Sequence, residues 1–386
     1  MKSFSRRMLA AILCIVLTLT MLAACGNETP EATAPNAAAP AAPAAPAAPA
    51  AAATDTDAED GKYRIVNGYK VPKFEGSPDE TYHMNVMVSG VEYWFPVYEM
   101  FKWCAWELGV KAVYGGTTEM DANKQIASFE QALAQKPAGI FCHPVNGDAF
   151  IAPINKAIDS GVPVVTFAND SPKSKRRVFI TSDNVYEGQV CAQELAKALN
   201  EQGEIAMLEN PGQTNHDIYM KSVQAELEKN YPNMKIVASA APSQDTTKAY
   251  NASLSFIQAH PNLSAIITPE GPDALGAAQA AKEKGGKVLV LTRDLNEQIL
   301  NMIKAGEVWG AINPDQGMQG YFGMLTLFVS KHTELVDPMS DYMIKNVNPV
   351  QLPYINNGMT VVTAENADAF YWDKYLKRRG TKGIDE

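Results

Sequence analysis

The sequence predicts an α/β protein made of two parallel sheets, each carrying helices on both faces. Two observations carry this. From His83 onward, short apolar runs alternate with longer segments of helical period. The alternation then restarts, giving two successive series of similar length. Right-handed crossovers are expected in both.

In the first series "HMNVMVSG", "KAVYGG", "AGIFCHPV", "VPVVTFAND" and "RVFITSDN" read as strands. Between the first four lie "VYEMFKWCAWELG", "ANKQIASFEQALAQ" and "AFIAPINKAIDSG". Val97, Phe101, Cys104 and Leu108 put one apolar face on the first of these helices. Glycine closes helices at Gly109 and Gly161. In the second series "GEIAMLEN", "KIVASAAP", "SAIITPEG", "KVLVLTRD" and "VWGAINPD" are strands. Its helices are "HDIYMKSVQAELEKN", "TKAYNASLSFIQAH", "DALGAAQAAKEKG" and "NEQILNMIKAG".

The chain opens differently. Lys2, Arg6 and Arg7 precede an almost wholly apolar run from Met8 to Met21, laid out as a secretory signal and short for a membrane span. It stops at Leu22-Ala23-Ala24-Cys25, which resembles the lipobox of bacterial lipoproteins. The resemblance implies cleavage before Cys25 and lipid attached to it. Residues 25–61 then hold an Ala-Pro tract. Each proline removes a donor and clashes one turn back, so an extended spacer is expected, not a helix. Glu28, Glu31, Asp55, Asp57, Glu59 and Asp60 all precede Lys62, as suits a tether holding a folded body off an anionic surface. The sequence suggests no role for residues 62–80.

The 386 residues, 46% hydrophobic, suffice for one large domain or two ordinary ones. A net charge of -10 argues against a nucleic-acid partner. Cys14 lies in the apolar run. Apart from Cys25, this leaves Cys104, Cys142 and Cys191, without CxxC spacing and among apolar neighbours. They read as small buried hydrophobes, not a disulfide framework.

Ligands of such sheets bind beyond the carboxyl ends of the strands. There the sequence places Glu92, Tyr93, Trp94, Phe95, His143, Asn146, Asn169, Asp170, Asn215, Asp217, Gln244, Asp245, Glu270, Asp294, Asn313 and Asp315. Any one of them alone could be a cap or turn residue. Their recurrence at one end of both sheets points to a polar site.

The phrases "VPVVTFAND", "FITSDNVYEGQVCAQELA", "AHPNLSAIITPEGPDALGAAQAA", "VLVLTRD", "IKAGEVWGAINPDQGMQGY" and "TVVTAENAD" resemble periplasmic sugar-binding proteins of the ribose- and galactose-binding group, over roughly residues 80 to 370. The resemblance implies the type I fold: two Rossmann-like, doubly wound lobes joined by a three-stranded hinge, closing on a ligand. It implies a first lobe of 80–183 plus 314–356 and a second of 184–313 plus 357–386, after a signal (1–24), the tether and an extension (62–80). It also implies a monomer with no cofactor, and an ABC permease or a sensory protein as partner. Carried over by phrase, the ligand-binding residues are Tyr93, Trp94, Phe95, Asn169, Asp170, Asn215, Asp217, Gln244, Glu270, Asp294 and Asn313. Carboxylates and amides suit hydroxyl groups, and aromatic rings suit the apolar face of a sugar.

One departure stands out. Relatives place arginine in the pocket, whereas these positions offer Asp170, Asp217, Glu270 and Asp294. Strand alternation points Arg293 to the opposite face. Four unpaired carboxylates in a closed cleft are costly, so either some lie outside the pocket, or they take up protons, or the ligand brings positive charge; an amino sugar or other amine stands open beside a neutral sugar or polyol. The basic run Lys173–Arg177 reads as a solvated loop, and Phe101, Trp103 and Trp106 as helix packing. The histidines lack metal-ligand spacing, and no nucleophile or phosphate-loop motif appears, so a metal site and an enzyme are not expected.

Overall fold

The computed structural model describes residues 56–57, 63–66, 69–335, 353–372 and 374. Cys25, the signal and most of the tether lie outside the described residues. In chain order the strands are β1 (Thr56–Asp57), β2 (Tyr63–Val66), β3 (Tyr69–Pro72), β4 (Thr81–Val86), β5 (Lys111–Gly116), β6 (Gly139–Cys142), β7 (Val164–Phe167), β8 (Val178–Thr181), β9 (Gly203–Leu208), β10 (Met234–Ala240), β11 (Leu263–Ile267), β12 (Leu289–Arg293), β13 (Gly310–Pro314), β14 (Tyr354–Asn356) and β15 (Met359–Thr363). The helices are α1 (Trp94–Glu107), α2 (Ala122–Ala134), α3 (Ile151–Asp159), α4 (Asn184–Ala198), α5 (Thr214–Asn230), α6 (Thr246–Ala259), α7 (Gly271–Glu283), α8 (Glu297–Ala305) and α9 (Gln316–Lys331).

Both expected sheets form. The first runs β14-β8-β7-β6-β4-β5 and is parallel throughout. The second runs β10-β9-β11-β12-β13-β15, parallel except where β15 meets β13. Central strands such as β6 and β7 are buried at every residue because helices cover both faces. Phe141 stacks between Phe101 of α1 and Phe167 of β7, at 5.4 and 3.9 Å, and anchors the first core. Cys104, Cys142 and Cys191 are buried free thiols. Trp103 pairs with Trp106 at 5.1 Å, but Trp106 is 46% exposed, so only Phe101 of that trio is core. Residues 56–72 contribute a separate three-stranded antiparallel sheet.

The chain passes between the sheets at β8 to α4, at β13 to α9, and at β14 to β15. Asn357 stitches these passages together. Its N–H donates to Thr181 O at 3.3 Å and its Nδ2 to Asp315 O at 3.0 Å, while Asp315 N–H donates to Gly358 O at 3.1 Å. A buried amide is well used here, since chain leaving a sheet must still satisfy its backbone groups.

Helix pairs approach closely where one helix carries glycine. A Cβ on Gly320 of α9 would lie 1.8 Å from the carbonyl oxygen of Val97 in α1, and one on Gly188 of α4 would lie 2.5 Å from that of Tyr219 in α5. Gly320→Ala should therefore force α1 and α9 apart and destabilise the protein by about 1–3 kcal/mol, as overpacking does. A thermal melt matching the wild type would refute this.

Candidate functional site

The predicted residues divide once they are placed. Some are caps. Asp245 accepts from Lys248 N and Asp315 from Met318 N, opening α6 and α9. Others hold their own loop. Asn169 Nδ2 donates to Pro144 O at 2.7 Å, and its Oδ1 accepts from Asp170 N. Asp217 Oδ2 accepts from Gly212 N at 3.3 Å inside the first turn of α5. Gln244 is exposed, at a backbone φ of 66°.

The aromatic trio is not a loop before α1. Tyr93 caps the helix, and Trp94, Phe95 and Pro96 form its first turn, where proline loses no helical hydrogen bond. Helical geometry sends the three rings different ways. Trp94 is 5% exposed, rests on His143 and Phe167, and spends its indole N–H on Met87 O and Val88 O. It can offer a ligand only ring surface. Tyr93 sets its ring edge-on to Trp94 at 4.9 Å, and its hydroxyl donates to Gln319 Oε1 at 3.4 Å. Phe95 is 43% exposed and meets Trp372 at 5.4 Å.

The four acids do not stand unpaired in one cleft. Arg176 Nε and Nη2 grip Asp170 at 2.6 and 2.7 Å, and Thr166 Oγ1 donates to the same carboxylate. The Lys173–Arg177 run is thus not wholly solvated: Arg176 turns inward, while Lys173 and Lys175 make exposed ion pairs. Arg293 is also not directed away. β12 ends there and Asp294 adopts φ 65°, so the pleat no longer separates neighbours. Arg293 Nη1 donates to Asp294 Oδ1 at 3.2 Å, Nε to Glu187 Oε2 at 2.9 Å and Nη2 to Asn184 Oδ1 at 3.3 Å.

Around this arginine the strand ends of the second sheet assemble a polar face. Beyond β9, Asn210 Nδ2 donates to Glu270 Oε1 at 3.0 Å and lies 3.2 Å from His216 Nδ1. Burial, then the Arg293 charge, lower His216 to about 3, so the ring is neutral. With Asn210 donating to Nδ1, the network assigns the proton to Nε2, which has no protein partner among the described residues. Burial, then Asp273 and Asp294, push Glu270 up to about 9, so it is a neutral acid at pH 7. Asp294 is raised to about 6 by burial, against the pull of Arg293. Asn313 Oδ1 in β13 is buried without a partner among the described residues. Tyr93 reaches this face from the first lobe: after burial, the Asp294 charge is the main cause raising its phenol.

Tyr93, Glu270, Asp294 and Asn313 thus come together, with Phe95 beside them at the rim of a cavity of about 590 Å³ that Asn313 also lines. Asn169, Asp170 and Asp217 serve their own loops, Gln244 stays exposed, and Asn215 makes no side-chain hydrogen bond among the described residues. His216, Asn210 and Glu187 were missed, and Arg293 was read as facing away. His216 could have been found from helix phase, since it is the apolar-face position between Asn215 and Asp217. The Arg293–Glu187 pair spans 106 residues and leaves no local signal.

Residues 84–329 match the periplasmic binding protein domain. The chain is 27% identical over 190 residues to the ribose import binding protein of Bacillus subtilis, covering 48% of this chain and 60% of that protein. It is 26% identical over 243 residues to the D-allose-binding periplasmic protein of Escherichia coli, covering 60% and 78%. An arabinose binding protein structure from Geobacillus stearothermophilus superposes with a TM-score of 0.71 at 31% identity, covering 76% of this chain and all of that one.

Glu270 yields a prediction. Its carboxyl is raised on folding, so the folded state binds a proton that the unfolded state releases above about pH 4.5. Its contribution to stability is greatest below that pH and falls as pH rises towards about 9. Glu270→Gln removes this loss. The variant should gain in melting temperature over the wild type as pH rises from 5 to 9, by roughly 2–4 °C for each kcal/mol recovered. A melting difference independent of pH would refute it.

Proposed function

The chain belongs to the periplasmic binding protein family, and from that premise we propose that it is a solute-binding lipoprotein, not an enzyme, which captures a small neutral sugar between its lobes and delivers it to an ABC permease. The supporting observation is the gathering of unspent hydrogen-bonding groups at the strand ends of one lobe, faced by Tyr93 of the other. His216 Nε2–H donates, Asn313 Oδ1 accepts, Asp294 accepts, and neutral Glu270 can do either. Such a set meets hydroxyl groups, which both donate and accept. The ring surfaces of Tyr93 and Trp94 then cover apolar C–H groups. Ribose, allose and arabinose, named for the relatives, support the same class.

The case for a cationic ligand rested on unpaired acids. With Arg176 on Asp170, Arg293 on Asp294 and Glu270 neutral, the acids call for no positive charge. The lobes take residues 80–183 plus 314–356 and 184–313 plus 357–386, of which 336–352, 373 and 375–386 lie outside the described residues, and they hinge about the passages stitched by Asn357. Cys25 carries the lipid, and the Ala-Pro tract lets the body of a monomer reach the permease from the outer face of the membrane. Ligand bound between the lobes favours the shut form by its extra contacts there.

Asp294→Ala should weaken binding of the best sugar among ribose, arabinose, allose and galactose by about 10- to 100-fold, the worth of a charge-assisted hydrogen bond or two. Titration calorimetry gives the ratio. Undiminished affinity in the variant would defeat the assignment.

A further inference from the structure

The cavity beside the polar face is larger than that face requires. At about 590 Å³ it lies within the range of ~300–1,000 Å³ that encloses drug-sized ligands, and a pentose is far smaller than those. Both lobes build it. The first supplies Phe95 and Met100 of α1 and Gln316 of α9; the second supplies Leu300 of α8, Asn313 of β13 and Trp372 after β15. Asn313 is shared with the sugar face, so the two spaces meet there.

Its lining has the two properties a sugar ring needs. The Phe95 and Trp372 rings meet at 5.4 Å, edge to face, leaving the half-exposed phenyl as apolar surface. Two amides are unspent: Asn313 Oδ1 is a buried acceptor and Gln316 Nε2 a buried donor, neither with a partner among the described residues. Both residues are more than nine-tenths buried. Buried amide groups without partners are costly, so a ligand that satisfies them gains what the free protein forgoes.

We propose that this cavity is a second subsite, and that the protein binds a two-ring sugar, one ring at the Asp294–Glu270 face and the other between Asn313, Gln316, Phe95 and Trp372. The inference rests on the sugar-binding reading above. It makes Phe95 a contact of the far ring and Trp372 a determinant of ligand length. A single pentose or hexose occupies only the first subsite.

The test is calorimetry on the full chain with arabinose, galactose and glucose against arabinobiose, galactobiose, lactose and cellobiose. At least one two-ring sugar should bind ten times or more as tightly as its own monosaccharide, about 1.4 kcal/mol. Trp372→Ala should erase that preference while leaving the monosaccharide affinity within about twofold, and Trp372→Phe should restore most of it, since a ring is kept. The subsite is overturned if every two-ring sugar binds no tighter than its monosaccharide, or if Trp372→Ala weakens both alike while Trp372→Phe repairs neither. Binding of no sugar of either kind overturns the sugar reading itself.

Discussion

One buried ion pair organises the polar face of the second lobe. Arg293 Nε donates to Glu187 Oε2 at 2.9 Å, with both side chains almost sealed from water. Glu187 stands in the first turn of α4, just after the chain has crossed from the first sheet. Arg293 closes β12. The pair therefore ties a passage between the lobes to the strand end that presents Asp294. Removing one partner of such a pair strands a buried charge, at about 3–5 kcal/mol. Glu187 Oε1 already lacks a partner among the described residues, so its carboxylate leans heavily on this one contact.

The acids near the cleft are neutralised in two ways, and the choice follows the neighbours. Asp170 and Asp294 each have a guanidinium within hydrogen-bond reach. Among the described residues Glu270 has only the Asn210 amide, and Asp273 one turn on has no side-chain partner. Burial then wins: Glu270 is pushed to about 9 and Asp273 to about 7. A proton replaces the missing cation, and the cleft keeps polar groups without accumulating negative charge.

The same strand ends carry two kinds of polar residue, because a parallel sheet asks two things of them. A helix starting there needs a cap, which Asp183, Asp245 and Asp315 supply. A ligand bound there needs groups that the backbone has not already claimed. Asp294 and Asp315 are alike in type and in distance from their strands. They differ in that Asp315 is spent on Met318 N, while Asp294 sits in a left-handed turn that frees its carboxylate for Arg293 and the cleft.

The sequence by itself determined the two βα series, and with them both sheets, the buried thiols and the strand ends where polar groups recur. Hydrophobic period is local and covers every residue of a strand or helix, so it is readable without contacts. Of the polar residues it singled out, Tyr93, Glu270, Asp294 and Asn313 gather at one face. Only the tertiary structure decided which ring faces where in the first turn of α1, which acids have arginine partners, and that His216 completes the Asn210–Glu270 chain. Those outcomes depend on pairings such as Glu187 with Arg293, between elements far apart in the chain. Charge and burial belong to the assembled surroundings, not to the residue, so no reading of neighbours along the sequence could supply them.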